Sequence, residues 1–549
     1  MVSRSLHIDK FLLFDEGIKR AREMISVHQR NTSFADFNIE LETKRNQLGF
    51  ELEIFLESKK ININTISLSA LRSALNFLNE LDRTNKLNSG KFSKVPGFKI
   101  RGIVEGFYGF PWTESEREDA FKKLGDFNMN TYLLSPKDIP WQRFQWREPF
   151  QEDFLGSVRK YVELGLIEGV ELAVAVSPGL SVVYSDQNDV EYLLNRYRQL
   201  VSVGVKHLAL LWDDIDSSLQ NEADQKKYHN ISEAHADFSN KVYQEILKLD
   251  PEITFTVCPM HYCGRGDESY LQVLGKSLNQ EINLFWTGRS ICSEYLEIVD
   301  AKVFQETTKR FPLYWDNFPV NDGSLRHSLF IGPVRSREDK LGQYSAGLLS
   351  NPMTQYHMSL FPLYTVGKYL WDPENYLPDK SWEESLEFLI PKEVERVALR
   401  TFLRNTMGTV TGGDPAPDVR KAFIDATYAR RRGEIKEASS ILKKEAQRLE
   451  EAYIVLTSPT FSHIEIYKDI EKWLVKFKIG YEVLGELSEL ISRTSFDISK
   501  NTMKEDFDLA WAVIRLRDRF DISPTNLFGD VIEGYLWELA AELGICQSV

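Results

Sequence analysis

Cysteine is scarce in this chain. Only four cysteines occur among 549 residues, namely Cys258, Cys263, Cys292 and Cys546, which is too few for a disulfide framework and fits a reducing compartment. The segment CPMHYC holds two of them, but its spacing is not CxxC and no second Cys or His pair follows, so it does not indicate a zinc site. We expect these two cysteines to be small buried residues.

Long apolar runs and an excess of positive charge are also missing. No stretch approaches the length of a membrane span, and the segment MVSRSLHIDKFLLFDEGIKR has one short apolar patch with no small-residue cleavage site after it. Lys and Arg number 67 against 81 Asp and Glu, a net charge of −14, which argues against nucleic acid or an anionic membrane as the main partner. These absences predict a neutral or small ligand and a cytoplasmic location.

Motifs for metal, dinucleotide and serine chemistry are absent from the sequence. HxH, HExxH and GxSxG do not occur, and EGFYGF is not the GxGxxG turn of a dinucleotide-binding sheet. His229 and His235 fall in or near an amphipathic segment, so we interpret them as surface or packing residues. The sequence therefore predicts neither a catalytic metal nor a cofactor.

A repeating pattern begins near residue 100, in which a short apolar run is followed by a loop and an amphipathic segment. The eight runs are RGIVEG (101–106), TYLLSP (131–136), ELAVAVSPG (171–179), HLALLWDD (207–214), TFTVCP (254–259), NLFWTG (283–288), PLYWDN (312–317) and AGLLSNP (346–352). Apolar strands alternating with amphipathic helices indicate a parallel sheet covered on its outer face. Eight such units predict a closed (β/α)8 barrel, and an open doubly wound sheet is the structural alternative.

The connecting segments carry helical signals. Thr113 and Glu116 have the spacing of a capping box at the start of a helix. One apolar stripe at helical spacing lies between the fourth and fifth runs and consists of Ala234, Phe238, Val242, Ile246 and Leu249.

The segments on either side of the barrel have other compositions. Residues 98–380 are assigned to the barrel, because prolines and polar residues in LWDPENYLPDKSW mark a boundary. Residues 381–549 contain long charged amphipathic segments, which predict an all-helical bundle and, as a hypothesis, a homodimer formed through it. Residues 1–97 are predicted to be a small domain of unknown role, with a helix carrying Leu68, Leu71, Leu75 and Leu78 and a strand at FELEIFL (50–56).

Polar and aromatic residues follow most of the predicted strands. In a barrel the active site lies at the carboxyl ends of the strands, so these residues should share one rim: Glu105, Gly106, Tyr108, Lys137, Asp138, Asp213, Asp214, Asp216, Tyr262, Trp286, Thr287, Trp315, Asp316, Asn317, Asn321, Asp322 and Asn351. Carboxylates, amides and a lysine can hold sugar hydroxyls, while aromatic rings carry the apolar face of the sugar. The rim therefore predicts a sugar site.

The adjacent carboxylates Asp213 and Asp214 follow the apolar run HLALLW. Two neighbouring carboxylates cannot both ionise freely, so one can stay protonated as an acid while the other stays charged. Acid-catalysed cleavage of a glycoside uses that division. A divalent metal is disfavoured because His261 is the only histidine at a strand end on this rim, and Asp216 is either a helix cap or a further catalytic group.

Eight ordered motifs resemble one known family. RGIVEGFYGFPW, NTYLLSPKD, AVSPGL, ALLWDDID, CPMHYCG, LFWTG, YWDNFPVND and LLSNP together resemble the catalytic domain of glycoside hydrolase family 84, the O-GlcNAcase and bacterial β-N-acetylglucosaminidase family. The resemblance covers about residues 99–380, and the helical segment behind them is similar to the family's stalk. The first hundred residues lie outside it.

The resemblance implies a retaining exo-β-N-acetylglucosaminidase that uses the substrate's acetamido group as nucleophile and forms an oxazoline. Its substrate would be a glycoprotein, glycopeptide or glycoside bearing β-GlcNAc. Asp213 would orient the acetamido N–H, and Asp214 would act as general acid and base. Tyr262 would bind the acetamido oxygen, Asn317 would lie near it, and Trp315 would form the wall of the acetamido pocket.

The resemblance also implies contacts to the sugar hydroxyls. Asp322 would bind O4 and O6, whereas Gly106, Lys137 and Asn351 would bind other hydroxyls, and Tyr108, Thr287 and Asn321 complete the predicted binding set. Each has a structural alternative: Gly106 could serve a tight turn, Trp315 could pack the barrel, and the Thr287 hydroxyl could bond to backbone.

The sequence departs from the family pattern at the outer groove. PMHY lacks an acidic residue before the tyrosine, FPVND lacks a histidine, and Phe110 stands where a basic residue is common. Two other functions stay open: an endo-acting hyaluronidase-like enzyme, which needs an open cleft, and a catalytically silent glycan-binding barrel, which the Asp213 and Asp214 pair disfavours.

Overall fold

The computed structural model describes residues 15–30, 32–42, 49–409, 412–493 and 503–543. These residues form two compact units. The first contains the described residues up to Phe318 together with Val334–Thr354 and Leu363–Leu377, and the second contains Pro319–Pro333, Gln355–Pro362 and the described residues from Pro378 onward. The predicted boundaries at 97 and 380 stay predictions.

The first unit begins with a small α/β layer. Helix α1 spans Asp15–His28, and a four-stranded sheet of order β1-β3-β2-β4 consists of β1 (Asn38–Glu42), β2 (Phe50–Phe55), β3 (Lys60–Asn64) and β4 (Gly90–Lys94). Helix α2 (Leu68–Arg83) packs on it and begins at Ser67, whose side chain accepts a hydrogen bond from the amide of Ala70. The predicted helix and the predicted strand are both confirmed.

All eight apolar runs form parallel strands that close into a barrel. The strands are β5 (Ile100–Glu105), β6 (Thr131–Leu134), β7 (Glu171–Val176), β8 (His207–Leu211), β9 (Thr254–Cys258), β10 (Asn283–Trp286), β11 (Leu313–Asp316) and β12 (Gly347–Ser350). Pairing of β12 with β5, in the register Ser350↔Ile103, closes the ring. The predicted (β/α)8 barrel is therefore confirmed, and the open sheet is excluded.

The helices of the first unit follow the signals in the sequence. They are α3 (Glu114–Asp126), α4 (Pro140–Arg143), α5 (Glu152–Glu168), α6 (Gln187–Ser202), α7 (Glu222–Lys227), α8 (Ile231–Leu249), α9 (Ser269–Ser277) and α10 (Ile298–Thr308). The capping box of Thr113 and Glu116 starts α3 as predicted. The stripe on α8 is buried except for Leu249, which is 41% exposed, because it is the last residue of the helix.

Apolar side chains fill the barrel interior. The buried cluster comprises Val104, Leu133, Ala173, Ala175, Ala209, Leu211, Cys258, Phe285, Leu313, Trp315 and Leu349. Small alanines on β7 and β8 face larger residues on the other strands, so the interior is closed by packing and is not a pore. A ligand must therefore bind at an end of the barrel.

The second unit is helical. Helix α11 (Tyr356–Trp371) contributes residues to both units, and it is followed by α12 (Pro378–Leu389), α13 (Glu393–Leu403), α14 (Pro417–Arg431), α15 (Ile435–Leu456), α16 (Ile464–Arg493), α17 (Met503–Phe520) and α18 (Val531–Glu542). The predicted all-helical carboxyl-terminal region is confirmed. Within the described part of the chain, no helix combines the length and apolarity that crossing a membrane requires.

Candidate active site

The backbone places Asp213 and Asp214 just beyond the carboxyl end of β8. Trp212 precedes them and is fully buried, with its indole stacked on His235 at 4.7 Å between ring centroids and 5° between ring planes. Its Nε1 donates to Oγ of Ser239 at 3.2 Å. Asp214 has φ +53°, a left-handed conformation uncommon outside glycine. This turn gives two consecutive carboxylates different surroundings.

The carboxylate of Asp213 is buried, and only one of its two oxygens has a partner among the described residues. Its Oδ2 pairs with the ammonium of Lys137, which is itself buried. Its Oδ1 is buried and has no hydrogen-bond partner among the described residues. A buried acceptor without a donor is costly, so Oδ1 is suited to an N–H or O–H group supplied by a ligand.

Asp214 is exposed at the mouth of the barrel, where two phenols contact it. Tyr108 donates to Oδ2 at 2.7 Å, and Tyr262 donates to Oδ1 at 2.9 Å. Arg143 donates to the backbone oxygen of Asp214 at 3.1 Å and to the hydroxyl oxygen of Tyr108 at 2.9 Å. The Arg143 guanidinium therefore holds the backbone of Asp214 and one of the two phenols that donate to its carboxylate.

The pKa of Asp214 is lowered in this ligand-free arrangement. Partial shielding from water favours the protonated acid, but the hydrogen bonds from Tyr108 and Tyr262 and the charges of Lys137 and Arg143 outweigh it. Burial and the nearby Asp214 carboxylate raise the pKa of both tyrosines, so both remain donors. The expectation that one carboxyl of the pair stays protonated is therefore wrong for Asp214 in the free protein.

Amides and an indole form one wall beside the carboxylates. Asn317 Oδ1 accepts hydrogen bonds from Trp315 Nε1 at 3.0 Å and from Asn351 Nδ2 at 2.9 Å, and its Nδ2 donates to the backbone oxygen of Ile291 at 2.8 Å. Lys137 Nζ lies 5.3 Å from the centroid of the Trp315 ring. Four residues of the predicted site are therefore connected to Asp213 by direct contacts or through one another: Lys137, Trp315, Asn317 and Asn351.

Gly106 is in this wall because another residue approaches its backbone closely. A Cβ at this position would lie 2.3 Å from Cζ2 of Trp315, and the Gly106 amide donates to Oδ1 of Asn351 at 3.2 Å. The glycine is therefore required by ring packing.

Two further predicted residues, Thr287 and Asn321, have local hydrogen-bond partners, and a third, Asp322, lies next to Asn321 in the chain. The Thr287 hydroxyl donates to the backbone oxygen of Ser290 at 2.7 Å, which is the structural alternative foreseen for it. Asn321 is fully buried in the second unit, where its Nδ2 donates to Ser328 O at 2.8 Å and to Gln355 Oε1 at 2.7 Å. Asp322, which is partly buried, belongs to the same unit.

Asp216 does not cap the next helix. Its Oδ1 accepts from the amide of Ser218 at 3.0 Å and from the Ser218 hydroxyl at 2.8 Å, and the N-cap of α7 is Asn221. The exposed Asp216 side chain thus stabilises a turn in the loop after β8.

The sequence did not single out Arg143 or Arg337. Arg143 follows the Lys137 loop, and Arg337 forms a buried two-point ion pair with Asp316 at 3.0 and 2.7 Å. Arg337 also donates to the backbone oxygens of Ser293 and Glu294, which ties the loop after β10 to the end of β11. No short motif marks an arginine whose partners are this distant in sequence.

Two histidines and the cysteines were considered in the sequence as packing, surface or buried residues. His235 is buried against Trp212, as expected of a packing residue, whereas His229 is exposed. Cys258 is buried, Cys263 and Cys292 are partly exposed, and Cys546 lies outside the described residues. Burial was expected for Cys258 and Cys263, so the expectation is wrong for Cys263. In the described ranges, no group of three or more His, Cys, Asp or Glu side chains is arranged to hold a metal ion.

Comparisons with known proteins agree with the geometry. The profile of the NAGidase family, beta-N-acetylglucosaminidase, matches residues 101–404. Protein O-GlcNAcase of Rattus norvegicus is 31% identical over 271 residues, which cover 48% of this chain and 29% of that protein. The chain therefore spans less than a third of the length of this curated relative.

Solved structures show the same architecture. An O-GlcNAc hydrolase mutant from Thermobaculum terrenum is 28% identical with a TM-score of 0.74, covering 81% of this chain and 95% of that one. The structure of CpGH84B is 24% identical with a TM-score of 0.78, covering 90% of this chain and 86% of that one. The second likeness concerns the fold alone.

Proposed function

The chain belongs to the β-N-acetylglucosaminidase family NAGidase, glycoside hydrolase family 84, and we propose that it is a retaining exo-β-N-acetylglucosaminidase. It removes terminal β-linked GlcNAc from glycoproteins, glycopeptides or glycosides and uses the substrate's acetamido group as nucleophile. A cytoplasmic location, inferred from the scarcity of cysteine, is part of the proposal, as is a homodimer through the helical region.

The observation that carries the proposal is the unpaired Oδ1 of Asp213. An acetamido N–H bound there would satisfy the oxygen and place the amide beside the carboxyl group that pairs with Lys137. Polarisation of the N–H increases electron density on the amide carbonyl oxygen. That oxygen attacks C1, the bond from C1 to the leaving oxygen breaks, and the ring closes to an oxazoline as the N–H proton passes to Asp213, which returns it when water opens the ring.

Asp214 completes the proton transfers. It gives a proton to the leaving oxygen in the first step and takes one from the water that attacks C1 in the second, which regenerates the acetamido group. Each step inverts C1, so the product retains the β configuration. The exposed position of Asp214 suits both exchange of the leaving group and entry of water.

Tyr262 provides a way for substrate to change the protonation of Asp214. Its one hydroxyl proton is donated to Asp214 Oδ1 in the free protein, and a tyrosine hydroxyl has no second proton to give to the acetamido oxygen. When Tyr262 turns to the acetamido oxygen, Asp214 loses a hydrogen bond that lowers its pKa. The bound aglycone also shields Asp214 from water, and both changes favour the protonated acid.

The remaining roles follow the predicted set. Trp315 forms a wall of the acetamido pocket, and Asn317 and Asn351 stand beside it. Lys137, Gly106, Tyr108 and Thr287 are proposed to contact the sugar from the rim of the barrel. For Asn321 and Asp322, contact with the sugar is proposed from the family resemblance alone.

The test is hydrolysis of an aryl β-GlcNAc by the wild type and by Asp213→Asn, Asp214→Asn and Asp216→Asn. We expect the first two substitutions to lower kcat/KM by on the order of a hundredfold or more, and Asp216→Asn, the matched control in the same loop, to act like wild type. Proton NMR should show the β anomer as the first product. No turnover by the wild type, or an α first product, would contradict the proposal.

A further inference from the structure

Two exposed phenylalanines lie in the loops that carry Tyr108 and Arg143, the residues that contact Asp214. Phe110 is 94% exposed and Phe144 is 71% exposed, which makes them the two most exposed aromatic side chains among the described residues. Single exposed apolar residues are common on protein surfaces. An exposed apolar ring in a loop of a binding site, however, is typical of a surface that contacts a ligand.

Hydrogen bonds tie the two phenylalanine-bearing loops together at Asp214. Phe110 lies two residues after Tyr108, and Phe144 directly follows Arg143. Tyr108 and Arg143 contact each other at 2.9 Å, and both contact Asp214. The amide of Gly109, the residue before Phe110, donates to Oδ2 of Asp138 at 2.6 Å, which links the same two loops a second time.

We propose that Phe110 and Phe144 form an aglycone platform that selects a polypeptide with apolar side chains next to the glycosylated residue. This inference rests on the proposed function, because the group that protonates the leaving oxygen marks the point where the aglycone leaves the site. Asp214 is that group, and Phe110 and Phe144 lie within two residues of Tyr108 and Arg143, which contact it. Phe110 and Phe144 are thus specificity-determining residues.

Apolar side chains of a peptide fit the two rings, and polar groups in the same loops already bond to one another. The Arg143 guanidinium is buried and donates to Tyr108 and to the backbone of Asp214. Asp138 accepts from the Gly109 amide. The two rings themselves form no hydrogen bonds with sugar hydroxyls, whereas contact between a ring and an apolar side chain is stabilised in proportion to the area buried.

The experiment compares three substrates with the full chain. The first is a β-GlcNAc-serine peptide with Val and Leu on both sides of the modified serine, the second is the same peptide with Gly and Ser there, and the third is the β-1,4-linked GlcNAc disaccharide. The wild type should prefer the first peptide over the second by on the order of tenfold in kcat/KM, the ratio expected when about 50 Å2 of apolar contact is made.

The variants are Phe110→Ser/Phe144→Ser and, as a matched control at the amino end of the barrel, Phe311→Ser. The double variant should reduce the ratio between the two peptides to about one, and Phe311→Ser should keep it. Each ratio is internal to one preparation, so a change in folding or total activity does not affect it.

The outcomes separate the two proposals. If no β-GlcNAc substrate is hydrolysed by the wild type, the proposed function fails. If the peptides are hydrolysed but without preference, or the preference survives in the double variant, the aglycone platform is rejected. If the disaccharide is the best substrate and the double variant loses that activity selectively, the rings bind a sugar, which also overturns the inference.

Discussion

The hydroxyl of Tyr262 lies 2.9 Å from Oδ1 of Asp214 and donates to it. The two residues come from loops after neighbouring strands, β9 and β8. Since the pKa of Asp214 is lowered in part by this hydrogen bond, the free protein holds Asp214 as a carboxylate. Substrate must therefore provide the conditions under which Asp214 carries a proton.

Tyr262→Phe should move the pH dependence of kcat/KM. Loss of the hydrogen bond removes one of the contacts that lower the pKa of Asp214, so that pKa rises. A group that must be protonated to act as the acid loses activity as pH rises through its pKa. The decrease in kcat/KM should therefore occur at higher pH in Tyr262→Phe than in the wild type. The control Tyr192→Phe, on the exposed surface of α6, should not change the pH of that decrease. If kcat/KM of Tyr262→Phe decreases at the same pH as kcat/KM of the wild type, the tyrosine does not affect the pKa of Asp214.

Lys137→Met should destabilise the protein. The substitution leaves Asp213 buried without its cation, and breaking a buried ion pair from one side costs about 3–5 kcal/mol. The control is Lys206→Met, which breaks the pair of Lys206 with Asp250 at the surface and should cost less than about 1 kcal/mol. Urea unfolding at neutral pH measures both, and equal losses would contradict the buried-pair interpretation.

Gly106→Ala should damage the site without unfolding the barrel. The new Cβ would meet Cζ2 of Trp315 at 2.3 Å, so the indole must shift, and displacing a group that positions substrate by about 1 Å can cost a hundredfold in rate. Gly156→Ala on α5 is the control, because nothing lies within 4 Å of that Cβ. Steady-state kinetics should show a large fall in kcat/KM for the first variant only, and full activity in Gly106→Ala would mean that Trp315 is not part of the pocket.

His235 should make stability depend on pH below neutrality. Burial lowers the pKa of His235 from 6.5 to about 3. Between these values the unfolded chain binds a proton that the folded chain does not, so stability falls as pH falls, by up to about 1.4 kcal/mol per pH unit. The difference in unfolding free energy between the wild type and His235→Gln should shrink toward acid pH. His229→Gln, at an exposed histidine, should run parallel to wild type, and a parallel curve for His235→Gln would refute the buried neutral imidazole.

The barrel was predictable from sequence because each strand is buried on both sides. Such strands are continuous apolar runs, as in HLALL and ELAVAV, and the rule that sites lie at carboxyl ends then identifies the rim. The capping box of Thr113 and Glu116 could be predicted because its two residues are only three positions apart in the sequence. Local patterns and one topological rule thus account for the barrel and for the position of Asp213 and Asp214 at the end of β8.

The electrostatics of the site depend on contacts that sequence spacing does not contain. Adjacency of Asp213 and Asp214 suggested that each shifts the other's pKa, but the left-handed φ of Asp214 separates them into different surroundings. Lys137, 76 positions from Asp213, and Arg143, 71 from Asp214, are decisive partners. Thr287 looked available, yet its own loop uses its hydroxyl.

The proposed mechanism depends on attack of the substrate's acetamido oxygen on C1. Changing the nucleophilicity of that oxygen tests the mechanism most directly. The measurement is kcat/KM for aryl β-GlcNAc substrates whose acetyl group carries zero, one, two or three fluorines. Because fluorine withdraws electrons from the amide oxygen, kcat/KM should fall with each fluorine, by on the order of a hundredfold or more across the series. Values that stay constant across the series would show that the amide does not attack C1, and would contradict the mechanism proposed for Asp213 and Asp214.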